Sequence, residues 1–96
     1  MKPSDALTAH RAAVRHTVAA SCARNPRVFG SVARGEDTEG SDLDMLVDPL
    51  PGATLLDLGG LQWDLQEMLG VEVDLLTPGD LPARFREEVI REAVPV

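Results

Sequence analysis

Cysteine is nearly absent. Cys22 stands alone, so no disulfide can close within the chain, and a reducing cytoplasm is the expected compartment. Tyrosine is missing altogether, which rules out modification of the chain on a phenol oxygen of its own. No apolar run approaches the roughly 18 residues that a membrane span needs, and Met1 to Leu7 carries no signal-peptide core. Basic residues are scarce: nine Lys and Arg face sixteen Asp and Glu, and the formal net charge is −7. Affinity for a nucleic-acid backbone comes largely from counterion release at clustered Lys and Arg. No such cluster exists, so a basic protein is the better expected partner than a nucleic acid. Repeats and low-complexity segments are also lacking.

What is present suits an ordinary folded unit. Hydrophobic residues make up 44% and charged residues 26%, values that do not suggest disorder. Residues 1–96 are expected to form one domain with a modest core, because a chain of this size buries only about 60–65% of its unfolded surface. Ser4 sits where an N-cap would, ahead of a helix over about residues 5–23 with Leu7, Val14 and Val18 on one stripe. Asn25-Pro26 is expected to end that helix, and Arg27 to Phe29 reads as a short strand. In Asp42 to Asp48, Leu43, Met45 and Val47 alternate with Asp42 and Asp44, the pattern of a half-buried strand.

Thr54 and Asp57 form a capping-box start for a second helix running to about Leu69, with Leu58, Leu61, Leu65 and Met68 inward. Gly59-Gly60 weakens it by roughly 1 kcal/mol per glycine, so close packing or an irregular turn is expected there. Val71 to Thr77 alternates as a third strand. Asp80 and Pro82 open a last helix reaching about Ala93, with Phe85 and Val89 marking its inner face. The order α-β-β-α-β-α predicts an α+β fold, a small mixed sheet covered by helices.

The chemistry is concentrated in Gly30-Ser31-Val32-Ala33-Arg34-Gly35, followed after five residues by Ser41-Asp42-Leu43-Asp44. Residues at i and i+2 of a strand share a face, so Asp42 and Asp44 can grip one ion together. Asp74 on the third strand is the natural third carboxylate. Three carboxylates about 4 Å apart repel by on the order of 4 kcal/mol per pair at an effective dielectric near 20. Mg²⁺ relieves that repulsion, takes hard oxygen ligands and leaves room for phosphates. Taken alone, an Asp-x-Asp pair reads equally as ordinary polar residues on a solvated face. Preceded by this glycine-serine turn at this spacing, it reads as a nucleotide site. Gly30 allows close backbone approach, and the Ser31 hydroxyl and N–H can bond a phosphate oxygen. Arg34 could pair with a phosphate or with an acidic neighbour. Ser41 could touch ligand or close the turn before the strand.

The arrangement resembles the signature of the nucleotidyltransferase superfamily that includes DNA polymerase beta, and within it the minimal nucleotidyltransferases found as antitoxins beside HEPN-domain toxins. The resemblance implies that Asp42, Asp44 and Asp74 bind two Mg²⁺ ions and that Gly30 and Ser31 clamp the phosphates of ATP. It also implies transfer of AMP from ATP to a hydroxyl, a tyrosine of the HEPN partner. Larger members carry an acceptor-binding domain; here the acceptor is expected to be small or to come from another chain. Two alternatives stay open: an antitoxin that acts by binding alone, and a nucleotidyltransferase acting on a small molecule.

Elsewhere the sequence is quieter. Glu36, Asp37 and Glu39 read as a solvated loop, Glu72 as an exposed strand end, and His10 and His16 as surface residues. Cys22 reads as a small core residue, and Trp63 as a core or interface anchor.

Overall fold

Alternation in the segment around Asp44 builds the central strand. In the computed structural model, which describes residues 1–96, β2 (Leu43–Pro49) points Leu43, Met45 and Val47 into the core and Asp44 and Asp48 to the opposite face. Around it, α1 (Pro3–Ala19), β1 (Ala23–Phe29) and the one-turn α2 (Gly30–Arg34) precede β2 in the chain. α3 (Leu55–Leu69), β3 (Val73–Leu76), α4 (Ala83–Glu92) and β4 (Val94–Pro95) follow it. The sheet order is β3-β2-β1-β4. β1 runs antiparallel to both β2 and β4, while β2 and β3 are parallel, with α3 as the crossover between them. The mixed α+β architecture is the one the sequence predicts, with α2 and β4 added.

The core lies between the sheet and the pair α1 and α3. Ala6, Leu7, Val14 and Val18 come from α1, and Leu61, Leu65 and Leu69 from α3; they meet Val28, Leu43, Met45, Val47 and Val73 of the sheet. Leu65 is fully buried there. Leu65→Ala is expected to cost about 2–5 kcal/mol, the usual range for a core Leu truncation, and a chemical-denaturation midpoint would read it directly. Thr54 and Asp57 make the full capping box: the Thr54 hydroxyl accepts from the Asp57 N–H at 3.1 Å, and the Asp57 carboxylate accepts from the Thr54 N–H at 3.0 Å. Gly70 ends α3 in the left-handed region, at φ 68°.

Several boundaries and burials differ from expectation. α1 starts at Pro3 with Lys2 as its N-cap, so Ser4 lies inside the first turn. Asn25-Pro26 falls within β1, where Asn25 takes a positive φ of 57° and the pairing register slips between Arg24 and Arg27. Asp48 pins this bulge, accepting from Asn25 at 3.0 Å and pairing with Arg27 at 2.6 Å. Gly59 and Gly60 stay helical, and a methyl group at either would meet only open space, so neither serves close packing within the chain. No residue of α4 is buried, and Phe85 is 45% exposed. The helix leans on backbone carbonyls instead, through Arg86 to Pro78 and Leu81. Val96 beyond it is buried, its N–H bonded to the Pro26 carbonyl. Trp63 is exposed, and Cys22 is only partly covered.

Candidate active site

Sheet register assembles the site. Phe29, the last residue of β1, lies opposite Asp44, and Asp44 lies opposite Asp74 across the parallel pair. Gly30, immediately after Phe29, therefore arrives beside the Asp44 carboxylate. A Cβ built on Gly30 would overlap the Asp44 Oδ2, and the backbone there sits at φ 68°. Both facts require glycine. The chain then enters α2, whose first-turn N–H groups have no partner inside the helix, with Ser31 in that turn.

Asp44 is half-buried, and its carboxyl is pushed above the usual carboxylate range. Burial is the chief cause; the charges of Asp74 and then Asp42 add to it, and Arg34 opposes them. Asp42 and Asp74 are exposed, Asp42 one residue ahead of β2 and Asp74 within β3. Asp42 and Asp74 thus lie near enough to act on Asp44 at an open surface. No set of three or more His, Cys, Asp or Glu side chains is drawn together tightly enough to hold an ion as it stands. The donors are nonetheless all carboxylate oxygens, the chemistry that hard cations take.

Two glutamines hold Asp74 in register. The Val73 N–H donates to Gln66 Oε1 at 3.1 Å, and the Leu75 N–H to Gln62 Oε1 at 3.0 Å. These donors bracket Asp74 on the free edge of β3, so α3 satisfies an edge that would otherwise be open. Gln62 and Gln66 stand at helical i, i+4 spacing, the one trace of this role that the sequence carries.

Arg34 reaches Glu36 at 3.3 Å and Glu92 of α4 at 3.2 Å. Ser41 closes its own loop: its hydroxyl accepts from the Thr38 N–H at 2.9 Å, and its N–H donates to the Thr38 carbonyl at 3.0 Å. Glu72 is exposed. Asp37 departs most from expectation. It is buried, and its carboxylate accepts from the Ser4 N–H at 2.9 Å, which makes it an N-terminal cap of α1 supplied from 33 residues away. That hydrogen bond holds its carboxyl below the ordinary range. The cap is therefore fully present above the ordinary carboxylate pKa and is lost as pH falls through the depressed value. Asp37→Ala is expected to cost about 1 kcal/mol near neutral pH. The difference from the parent should close in strong acid, as thermal melts across pH would record.

Comparisons with known proteins assign the family. A family model for the nucleotidyltransferase domain matches residues 26–96, the span that holds all three aspartates and the glycine-serine turn. The chain belongs to this nucleotidyltransferase family, and it is a nucleotidyltransferase enzyme. One solved structure, described as a minimal nucleotidyltransferase, shares 48% identity at a TM-score of 0.87 over 97% of this chain and 95% of its own. A Methanocaldococcus jannaschii protein assigned as a protein adenylyltransferase is 45% identical over 72% of this chain and 74% of its own. The protein adenylyltransferase MntA of Thermococcus cleftensis is 39% identical over 92% of this chain and 86% of its own. A toxin–antitoxin complex solved with AMP-PNP shares the nucleotidyltransferase fold at a TM-score of 0.71, with 17% identity over 91% of this chain and 69% of its own.

Proposed function

We propose that this nucleotidyltransferase moves AMP from ATP to a hydroxyl of a partner protein, a tyrosine of a HEPN-type toxin, and so acts as an antitoxin. The observation that carries the chemistry is the contact of Gly30 with an Asp44 carboxylate set opposite Asp74. Support for a protein acceptor comes from the relatives, whose names describe protein adenylyltransferases. The reading places the protein in the cytoplasm, where ATP is available and Cys22 stays reduced.

Gly30 and the Ser31 hydroxyl and N–H bind the outer phosphates of ATP and hold them in line. Asp42, Asp44 and Asp74 would hold Mg²⁺, two ions in the full site, which when bound neutralise phosphate charge and polarise the α-phosphate. The acceptor oxygen attacks that phosphorus in line, forming the new O–P bond as the bond to the β-phosphate's bridging oxygen breaks. Pyrophosphate leaves with the electron pair of that bond. Asp74, exposed beside the acceptor's approach, takes the hydroxyl proton on a carboxylate oxygen and passes it to solvent. Arg34, whose charge reaches Asp44, and Ser41 complete the phosphate side of the site in this reading.

The test starts from the neighbouring gene: a HEPN reading frame there supplies the acceptor, whose intact mass is measured after incubation with the enzyme, ATP and Mg²⁺. A gain of one or more AMP units, absent with Asp42→Ala, supports the reading. Silencing of an unmodified toxin by equimolar protein would replace catalysis with masking.

A further inference from the structure

Helix α3 is apolar on two opposite faces, and only one of them is covered. Leu61, Leu65 and Leu69 fill the core. On the far side, Leu56 is 86% exposed and Trp63 is 61% exposed, seven residues apart on one stripe. Gly59 and Gly60 lie between them with open space above both. Beside this stripe runs an open groove of about 580 Å³ between α3 and the end of α1, lined by Leu56, Gly60 and Asp64 on one wall and His16 and Ala20 on the other. A soluble helix rarely leaves Leu and Trp together on its outer face without a partner.

We infer that this outer face of α3, with the groove beside it, seats a basic amphipathic helix of the partner protein. The glycine pair lets a second backbone approach closely, and Leu56 and Trp63 on either side supply the apolar grip. Charge selects the occupant. Asp64 and Glu67 are exposed at the rim, and the whole chain carries −7. A second copy seated here would set Asp64 and Glu67 near their own counterparts, whereas Lys or Arg beside an apolar stripe would pair with them. The position is also informative. The groove includes Cys22, whose carbonyl bonds the Leu50 N–H at the end of the sheet where Ala23 faces Pro49. Asp44 lies at the other end of β2, roughly 15–20 Å away at about 3.3 Å per residue. Docking here leaves the carboxylates open, so one part of the partner can be held while another reaches the site.

This inference rests on the reading of the partner as a protein acceptor. The test is Leu56→Glu/Trp63→Glu, two exposed positions, assayed by calorimetry and by AMP transfer against the HEPN-type toxin of the proposed function. The expected result is a Kd and a toxin KM at least 100-fold higher, with kcat at saturation and ATP affinity unchanged. Asp64→Lys/Glu67→Lys should weaken binding about tenfold in dilute salt and less in concentrated salt. Equal affinity of parent and double variant would overturn the docking site while leaving AMP transfer standing. A fall in kcat at unchanged KM would overturn it as well. A parent that neither binds nor modifies the toxin would end both readings. Sedimentation showing a dimer of the parent, lost in the double variant, would assign the face to a second copy instead.

Discussion

Asp44→Asn should lower nucleotidyl transfer by at least about 100-fold and at the same time raise the melting temperature. Removing one preorganised electrostatic group from a reacting centre commonly costs 10²–10³ in kcat, about 2.7–4 kcal/mol, and Asp44 is the most enclosed of the three carboxylates. The stability gain has a separate cause. Burial, Asp74 and Asp42 all raise the Asp44 carboxyl above its ordinary value. A carboxyl raised on folding binds its proton more tightly in the native state. Its contribution is then most favourable below the unfolded pKa and is lost as pH rises through the raised one. The variant should therefore match the parent in acid and exceed it near neutrality. Melting curves across pH, run beside a transfer assay, separate the two effects. A variant that kept full turnover would remove Asp44 from the site, and one that lost stability at neutral pH would contradict the crowding of charge around it.

Gly30→Ala is expected to be nearly as damaging to transfer by another route. The added methyl would overlap the Asp44 Oδ2, the end of a short side chain that can rotate away. The strain thus falls on the position of the carboxylate. A displacement of about 1 Å in a reacting group can cost 10²-fold in rate, and that is the loss expected. Stability should fall by only about 1–2 kcal/mol, the cost of placing an L residue in the left-handed region. The diagnostic is the split between the assays: large in rate, small in a denaturant melt. Comparable losses in both would mean that Gly30 serves the fold and not the site.

The local code was legible where one strand or one turn carries the information. Alternation around Leu43, Met45 and Val47 gave the buried face of β2, and Thr54 with Asp57 gave the start of α3. Both depend on neighbours within four residues, whose spacing in space follows from backbone geometry. The Gly30-Ser31 segment proved to open the one-turn helix α2, and Asp42 sits just ahead of β2, so only Asp44 lies on the strand the alternation marked.

Contacts between distant segments decided the rest. Asn25-Pro26 looks like a helix stop, yet it became a bulge because Arg27 and Asn25 converge on Asp48, across β1 and β2. Asp37 looks like one of three solvated acids until the Ser4 N–H, 33 residues earlier, gives it a partner. Phe85 has the spacing of a core residue in α4, but no residue of that helix is buried and Phe85 stays exposed. What the sequence determined by itself is the family signature, the glycine-serine segment followed by Asp42 and Asp44, within the residues 26–96 that the nucleotidyltransferase family matches. What only the tertiary structure decided is which acids are buried and which apolar faces stay bare. Burial is a property of the whole packing, and no window of neighbouring residues contains it.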